Sequence, residues 1–371
     1  MLVKCMNMKR SLIYIVVLLV VISCTKDTSA PSPIFSEGGL ISFTTRVNTK
    51  TPIITELNGE QFGVYAYKFP NLTTWGTYKT AAAPDLFLNL KVTCDDAGAC
   101  SYDVGDTDTD INGREQWELS KKYSYFAYYP YLSSAPSVPD SEYGILSDPY
   151  IDYSLPLSAD LEVNPDDLLD IMTAKVTDWS ATRGTVVRFE FYHRLFLIEL
   201  YGYNFNSEMI KITDLSMTIS GIRYNKARIF MDYDIPSEYS SDKWTKDDTV
   251  EFPIINQTSP ITIDGNSEAE LSTDKNIVLI PQKYLERIED PYTKEIRDDE
   301  SGLNVQLDLT YEITLDNKTT TRTVRRSATY NSDFIERNKY TLNVNFVGEE
   351  VLLVTANAAP WDKKDVTHIF D

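Results

Sequence analysis

Residues 185–203 read TVVRFEFYHRLFLIELYGY, the longest strand-like block in the chain. β-Branched and aromatic side chains dominate it, and these suit a pleated, half-buried surface. Val187, Phe189, Phe191 and Leu195 fall at odd positions, so an extended backbone puts them on one face. The apolar positions change parity near Phe196, which predicts a β-bulge there.

The same pattern repeats in both directions. Upstream, strands are expected at Leu40–Arg46, Phe62–Tyr67, Leu86–Val92 and Tyr123–Pro130. The last should stop at its proline, which cannot donate to a ladder. Downstream, the runs are Ile210–Ile219, Arg228–Tyr233, Ile277–Ile280, Val305–Thr314, Thr321–Tyr330, Lys339–Phe346 and Val351–Thr355. The last is apolar on both faces and reads as a buried central strand or as a donor to a neighbour, with the first preferred. Residues 131–166, rich in Ser, Pro, Asp and Tyr, read as a long loop with short turns. Helical periodicity is scarce. Short alternating runs set apart by Asn, Gly, Ser and Pro indicate an all-β chain, as two β-sandwiches in tandem. The expected segments are 1–23 (export signal), 24–37 (linker), 38–180 (N-terminal sandwich) and 181–371 (C-terminal sandwich).

The first segment carries Lys4, Lys9 and Arg10, then the apolar run LIYIVVLLVVI at 12–22, then Ser23-Cys24. That run is too short to span a bilayer, which takes about 20 residues, but it fits the apolar core of a signal peptide. A cysteine directly after a small residue, where the run stops, favours a lipoprotein signal over an ordinary secretory one. Cys24 is then the lipidation site, tethering the chain without spanning, since stable anchoring takes more than one acyl chain.

Composition narrows the partners. The chain has 55 acidic and 35 basic residues, a formal net charge of −20. Nucleic acid and anionic lipid both demand a basic surface, so neither is expected as a partner. Of the 4 cysteines, Cys5 lies in the signal and Cys24 takes lipid. Cys94 and Cys100 flank an Asp95-Asp96-Ala97-Gly98 reversal and read as a disulfide in an exported chain. Free thiols and half a zinc site are the rivals, but zinc needs two more ligands, and the chain has only 2 histidines, His193 and His368. No metal, cofactor or catalytic site is expected. Asp106–Gly113 has aspartates at calcium-loop spacing, but Ile111 and Trp117 stand where an EF-hand requires Gly and Glu. His193, among aromatics in a strand, reads as a structural histidine. Tyr128, Tyr129, Tyr131, Tyr143, Tyr150 and Tyr153 crowd the long loop. Stacking on sugar rings is one use of such tyrosines, and packing onto the sandwich is the other and preferred one. Asp248-Thr249-Val250 has the form of a short O-glycosylation acceptor.

Several blocks in this order resemble the fimbrillin family of Bacteroidetes lipoproteins, the type V pilus subunits and their relatives. They are the lipobox ending at Cys24, Phe62–Tyr67, Trp117 with Tyr125–Pro130, Asp167-Leu168-Leu169, Phe189–Leu195, Ile280-Pro281-Gln282, Asn338–Leu342 and Ala359–Asp362. The resemblance implies two transthyretin-like β-sandwich domains, an outer-membrane lipoprotein and an extracellular fibre. It further implies that a trypsin-like protease removes the first strand and that a strand of another subunit fills the groove. Arg46 or Lys50 would then be the cleavage residue. The expected partners are other pilus subunits by strand addition, the outer membrane through lipid, and a host or bacterial surface glycan or protein. A stand-alone surface lipoprotein that binds glycans is the alternative, and a β-sandwich glycan hydrolase a distant third.

Overall fold

The computed structural model describes residues 41–47, 57–79, 86–102, 118–133, 148–156, 167–180, 186–241, 249–255, 258–272, 277–284, 287–289, 296–298, 302–315, 318–354 and 358–360. All of them belong to one compact unit, Glu37–Asp371. They are almost entirely β, with a single four-residue helix, α1 (Trp75–Tyr78).

The first strands are β1 (Ser42–Val47), β2 (Gln61–Pro70), β3 (Phe87–Cys94), β4 (Cys100–Tyr102), β5 (Lys121–Tyr129), β6 (Tyr150–Ser154), β7 (Met172–Ser180) and β8 (Val186–His193). Seven of these close a barrel in the order β1-β4-β3-β2-β5-β7-β8. The remaining one, β6, lies in a stretch expected to be loop and pairs instead with a later strand. β5 ends at Tyr129, before Pro130, as the sequence predicts.

The aromatic strands β2 and β5 make sense once both of their faces are followed. Phe62, Val64, Tyr123 and Tyr125 point into the barrel core. Their neighbours Tyr65, Tyr67, Phe126 and Tyr128 belong to a second core outside it. A wall buried on both sides needs no polar face, which is why FGVYAY and YSYFAYY read as nearly continuous apolar runs. Gly63 pairs with Tyr128 across the strands. A Cβ on Gly63 would lie 2.1 Å from the Tyr128 ring. Side-chain absence at 63 is thus what lets Tyr128 lie flat on the sheet.

From β9 (Phe196–Asn204) onward the chain builds other sheets. The strands are β10 (Ile210–Ser220), β11 (Lys226–Phe230), β12 (Glu238–Ser240), β13 (Thr249–Ile255), β14 (Ile261–Ile263), β15 (Ser267–Glu270) and β16 (Ile277–Leu279). Next are β17 (Arg287–Glu289), β18 (Ile296–Asp298), β19 (Leu303–Leu315), β20 (Lys318–Tyr330), β21 (Asn338–Val347), β22 (Glu350–Val354) and β23 (Ala358–Pro360). One sheet runs β13-β10-β19-β20 with β14 on β10; another runs β15-β9-β21-β22 with β16 on β9 and β23 on β21. Their alternating inner residues, such as Leu200, Met217, Leu307, Leu342 and Phe346, join the second core. A small sheet, β12-β11-β6, and the pair β17-β18 complete the fold.

Two expectations change. The parity break near Phe196 is not a bulge: β8 ends at His193, β9 begins at Phe196, and the chain changes sheets between them. The passage therefore lies later than 180–181, for β8 still pairs with β7 at Met172↔His193 and Thr173↔Tyr192. β22 is not a central strand but the outermost strand of its sheet. Val351 is buried, while Leu352 points outward and is 48% exposed. Apolarity on both faces misled because one face meets solvent.

Candidate functional site

β1 has two unequal edges. On one side it runs parallel to β8 through six consecutive pairs, from Ser42↔Val186 to Val47↔Phe191. On the other, among the described residues, it meets β4 at a single pair, Phe43↔Cys100. The alternation seats it. Ile41 and Phe43 are buried in the barrel core, whereas Arg46 faces outward and is exposed. Phe43 stacks on Phe189 at 5.6 Å and 21° and meets Phe87, Tyr102 and Tyr125 edge-on or tilted at 5.7–6.2 Å. The Tyr102 hydroxyl donates to the Ile41 carbonyl at 3.0 Å. Burial of a phenylalanine side chain of this kind contributes roughly 1.5–3 kcal/mol, so the two apolar anchors reinforce the six-pair ladder to β8.

The weak β1–β4 edge is stiffened from behind. Cys94 and Cys100 form a disulfide across the β3–β4 hairpin. Its turn is the Asp95–Gly98 reversal expected from the sequence. Asp95 Oδ1 accepts from the backbone N–H groups of Ala97 and Ala99, both at 2.9 Å. Gly98 takes φ +81°, a conformation that costs glycine little. Closing a loop this short stabilises by about 2 kcal/mol. We expect the Cys94→Ser/Cys100→Ser double variant to lose about that much in urea unfolding, and reductant to reproduce the loss in the native chain but not in the variant.

Of the two basic residues proposed for cleavage, Arg46 lies inside β1, opposite Glu190. Lys50 falls outside the described residues, as do Cys24, the Asp106–Gly113 segment, Trp117, Tyr143 and Asp248.

A second cluster sits where the chain passes between sheets. His193 is buried, and its Nδ1 lies 2.9 Å from Asp170 Oδ1. Arg194 is fully buried. Its Nε donates to Glu336 Oε2 at 3.0 Å, Nη1 to the Phe230 carbonyl at 2.6 Å and Thr173 Oγ1 at 3.2 Å, and Nη2 to Ser237 Oγ at 2.9 Å and the Ile235 carbonyl at 3.3 Å. The guanidinium thus ties β7 and β11 to the segments at 235–237 and 336. Nothing in the sequence singled out Arg194, although an arginine inside FEFYHRLFLIEL is an anomaly that buried charge pairing explains.

Most of the loop tyrosines pack down. Tyr128 donates to Asn89 Oδ1 at 2.8 Å and accepts from the Leu132 N–H at 3.1 Å. Burial pushes its phenol well above the ordinary value, so the hydroxyl stays protonated as a donor. Tyr129 and Tyr153 are buried as well, and Tyr131 lies under Lys91, 5.6 Å from ring centroid to Nζ. Tyr150 differs, half-exposed on the outer side of β6. Among the described residues, no group of three or more His, Cys, Asp or Glu could hold a metal ion. No described helix is long and apolar enough to cross a membrane.

Fold and seam together define an all-β protein whose first strand plugs a barrel through one strong and one weak edge. The chain belongs to the fimbrillin-like family, whose model matches residues 45–361. Two crystal structures of putative cell adhesion proteins are similar. One, from Bacteroides ovatus ATCC 8483, is 15% identical, with 89% of this chain and 100% of that one covered and a TM-score of 0.50. The other, from Bacteroides uniformis ATCC 8492, is 14% identical, with 87% and 98% covered and a TM-score of 0.45. The first of these shows a shared fold. No curated protein matches the chain.

Proposed function

We propose that this protein is a surface fimbrial subunit or adhesin that assembles by β-strand addition at the seam now filled by β1. The observation that carries this reading is the asymmetry of β1 among the described residues: six residue pairs to β8, one to β4, and a phenylalanine plug between them. Taking β1 out would leave the β8 edge unpaired beside an apolar slot, and such an edge is a template for an incoming strand. Alternating side chains would fix its register, because a one-residue slip turns Phe43-like anchors to solvent. Family membership supports the fibre context. In this reading Cys24 carries the lipid that holds the chain at the outer membrane, and the chain divides into two transthyretin-like halves that meet at Arg194.

The position of Arg46 orders the two cleavage candidates. The Arg46–Val47 bond lies within paired β1, and a protease needs that strand end peeled away. Lys50 follows, three positions after Val47, the last residue of β1 among those described. Treating the full chain with a trypsin-like protease is therefore expected to cut first after Lys50, read by intact mass. Size-exclusion chromatography should then show β1 retained until a competing strand or a second subunit displaces it, with oligomers following. Resistance of the 46–51 segment, or a cut chain that stays monomeric with β1 released, would defeat the proposal.

A further inference from the structure

The small sheet β12-β11-β6 offers a second, unrelated surface. Its inner face is apolar: Ile151, Tyr153, Ala227 and Ile229 are buried in the second core. Its outer face is polar and lines a cavity of 430 Å³ with Asp152, Ser154, Lys226, Arg228, Glu238 and Ser240. Register explains the arrangement. Lys226 stands between Ser154 and Ser240, and Arg228 between Asp152 and Glu238. Each cation on the central strand is thus flanked, one strand spacing away, by an acceptor or a hydroxyl.

Arg228 is held in place. Its guanidinium lies 4.2 Å above the Tyr150 ring, which meets Phe230 edge-on at 6.1 Å. Its Nε donates to Asp152 Oδ1 at 3.1 Å. Among the described residues, nothing accepts from its Nη1 or Nη2, and nothing donates to the Glu238 carboxylate. A fixed two-pronged donor and a free acceptor therefore face one concave space.

We propose that this cavity binds a neutral oligosaccharide. Vicinal sugar hydroxyls each donate and accept, so they match a surface where donors and acceptors alternate at strand spacing. Among the described lining residues, two cations and two carboxylates balance, while the chain as a whole carries −20. A polyanion would gain little from the balanced lining and be repelled by the rest. The volume lies within the range of small-ligand sites. The site uses none of the residues of the β1 seam, so it stands or falls separately from strand addition.

The test is isothermal titration of the full chain with cellobiose, maltose and lactose, and with 3′-sialyllactose as the charged comparator. Saturable binding of at least one neutral disaccharide with Kd of about 1 mM or tighter is expected. Arg228→Ala and Glu238→Gln should each weaken it about 10-fold or more, and Asp152→Asn, nearly isosteric, should weaken it less. All three side chains point outward, so the unfolding midpoint should stay put and report an intact fold. Absence of saturable binding, unchanged affinity in the variants, or binding confined to the sialylated sugar would each overturn the proposal.

Discussion

Replacing Arg194 with alanine is expected to cost about 3–5 kcal/mol in urea unfolding, the range for breaking a buried ion pair by removing one partner. The side chain is fully buried and makes five hydrogen bonds to groups in four separate segments. Truncation strands two part-buried backbone carbonyls, at Phe230 and Ile235, and leaves Thr173 and Ser237, both buried, without the guanidinium. An unmade buried bond costs more than a made one contributes. Glu336 suffers less, because its side chain is 26% exposed and can rehydrate. Arg194→Lys should fare only slightly better, since an ammonium cannot reproduce the planar fork. Arg194→Met should lose less than alanine, because it keeps the volume. If Arg194→Ala unfolds within about 1 kcal/mol of the parent, at an unchanged denaturant slope, the passage between sheets is not held by this residue.

How far such features can be read without a structure depends on whether they are local. β10, β19 and β21 are legible because apolar alternation is written in consecutive residues, and β2 and β5 because an aromatic, nearly continuous apolar run is. β7 is not: Lys175 and Asp178 interrupt MTAKVTDWS, and only its first three residues are buried. Lys175 is explained by distant partners, for it bridges Asp232 and Asp234, each at 2.5 Å. The split of the 185–203 block is invisible for the same reason. His193 and Phe196 look continuous until β8 and β9 find different neighbours. The Cys94–Cys100 link was legible because both residues and their turn lie within seven positions. The cavity was not, since it joins residues 150–154, 226–230 and 238–240, and neither β6 nor β12 carries a strong strand signal.

Phe43→Ala is the second large effect, expected at about 3–5 kcal/mol, the usual cost of emptying a buried phenylalanine site. Four rings converge on this one, and three of them, Phe87, Tyr125 and Phe189, also belong to the barrel core. Collapse onto the void is hindered because these rings are anchored on β3, β5 and β8, whose pairings fix their spacing. The loss should also have a local signature that Arg194→Ala lacks. Among the described residues, β1 is paired on the β4 side only at Phe43 itself, so the variant should fray there and expose the Arg46–Val47 bond. Proteolysis after Arg46 is then expected to accelerate more than global stability alone predicts, with Arg194→Ala as the comparator of equal ΔG. Leu352→Ala, exposed on β22 away from the seam, should stay within about 0.5 kcal/mol of the parent and leave the cleavage rate alone. Cleavage rates that simply track global stability across all three variants would mean that β1 leaves only when the whole barrel unfolds. A strand bound that way could not be exchanged under native conditions, and assembly at this seam would then have to precede folding rather than follow it.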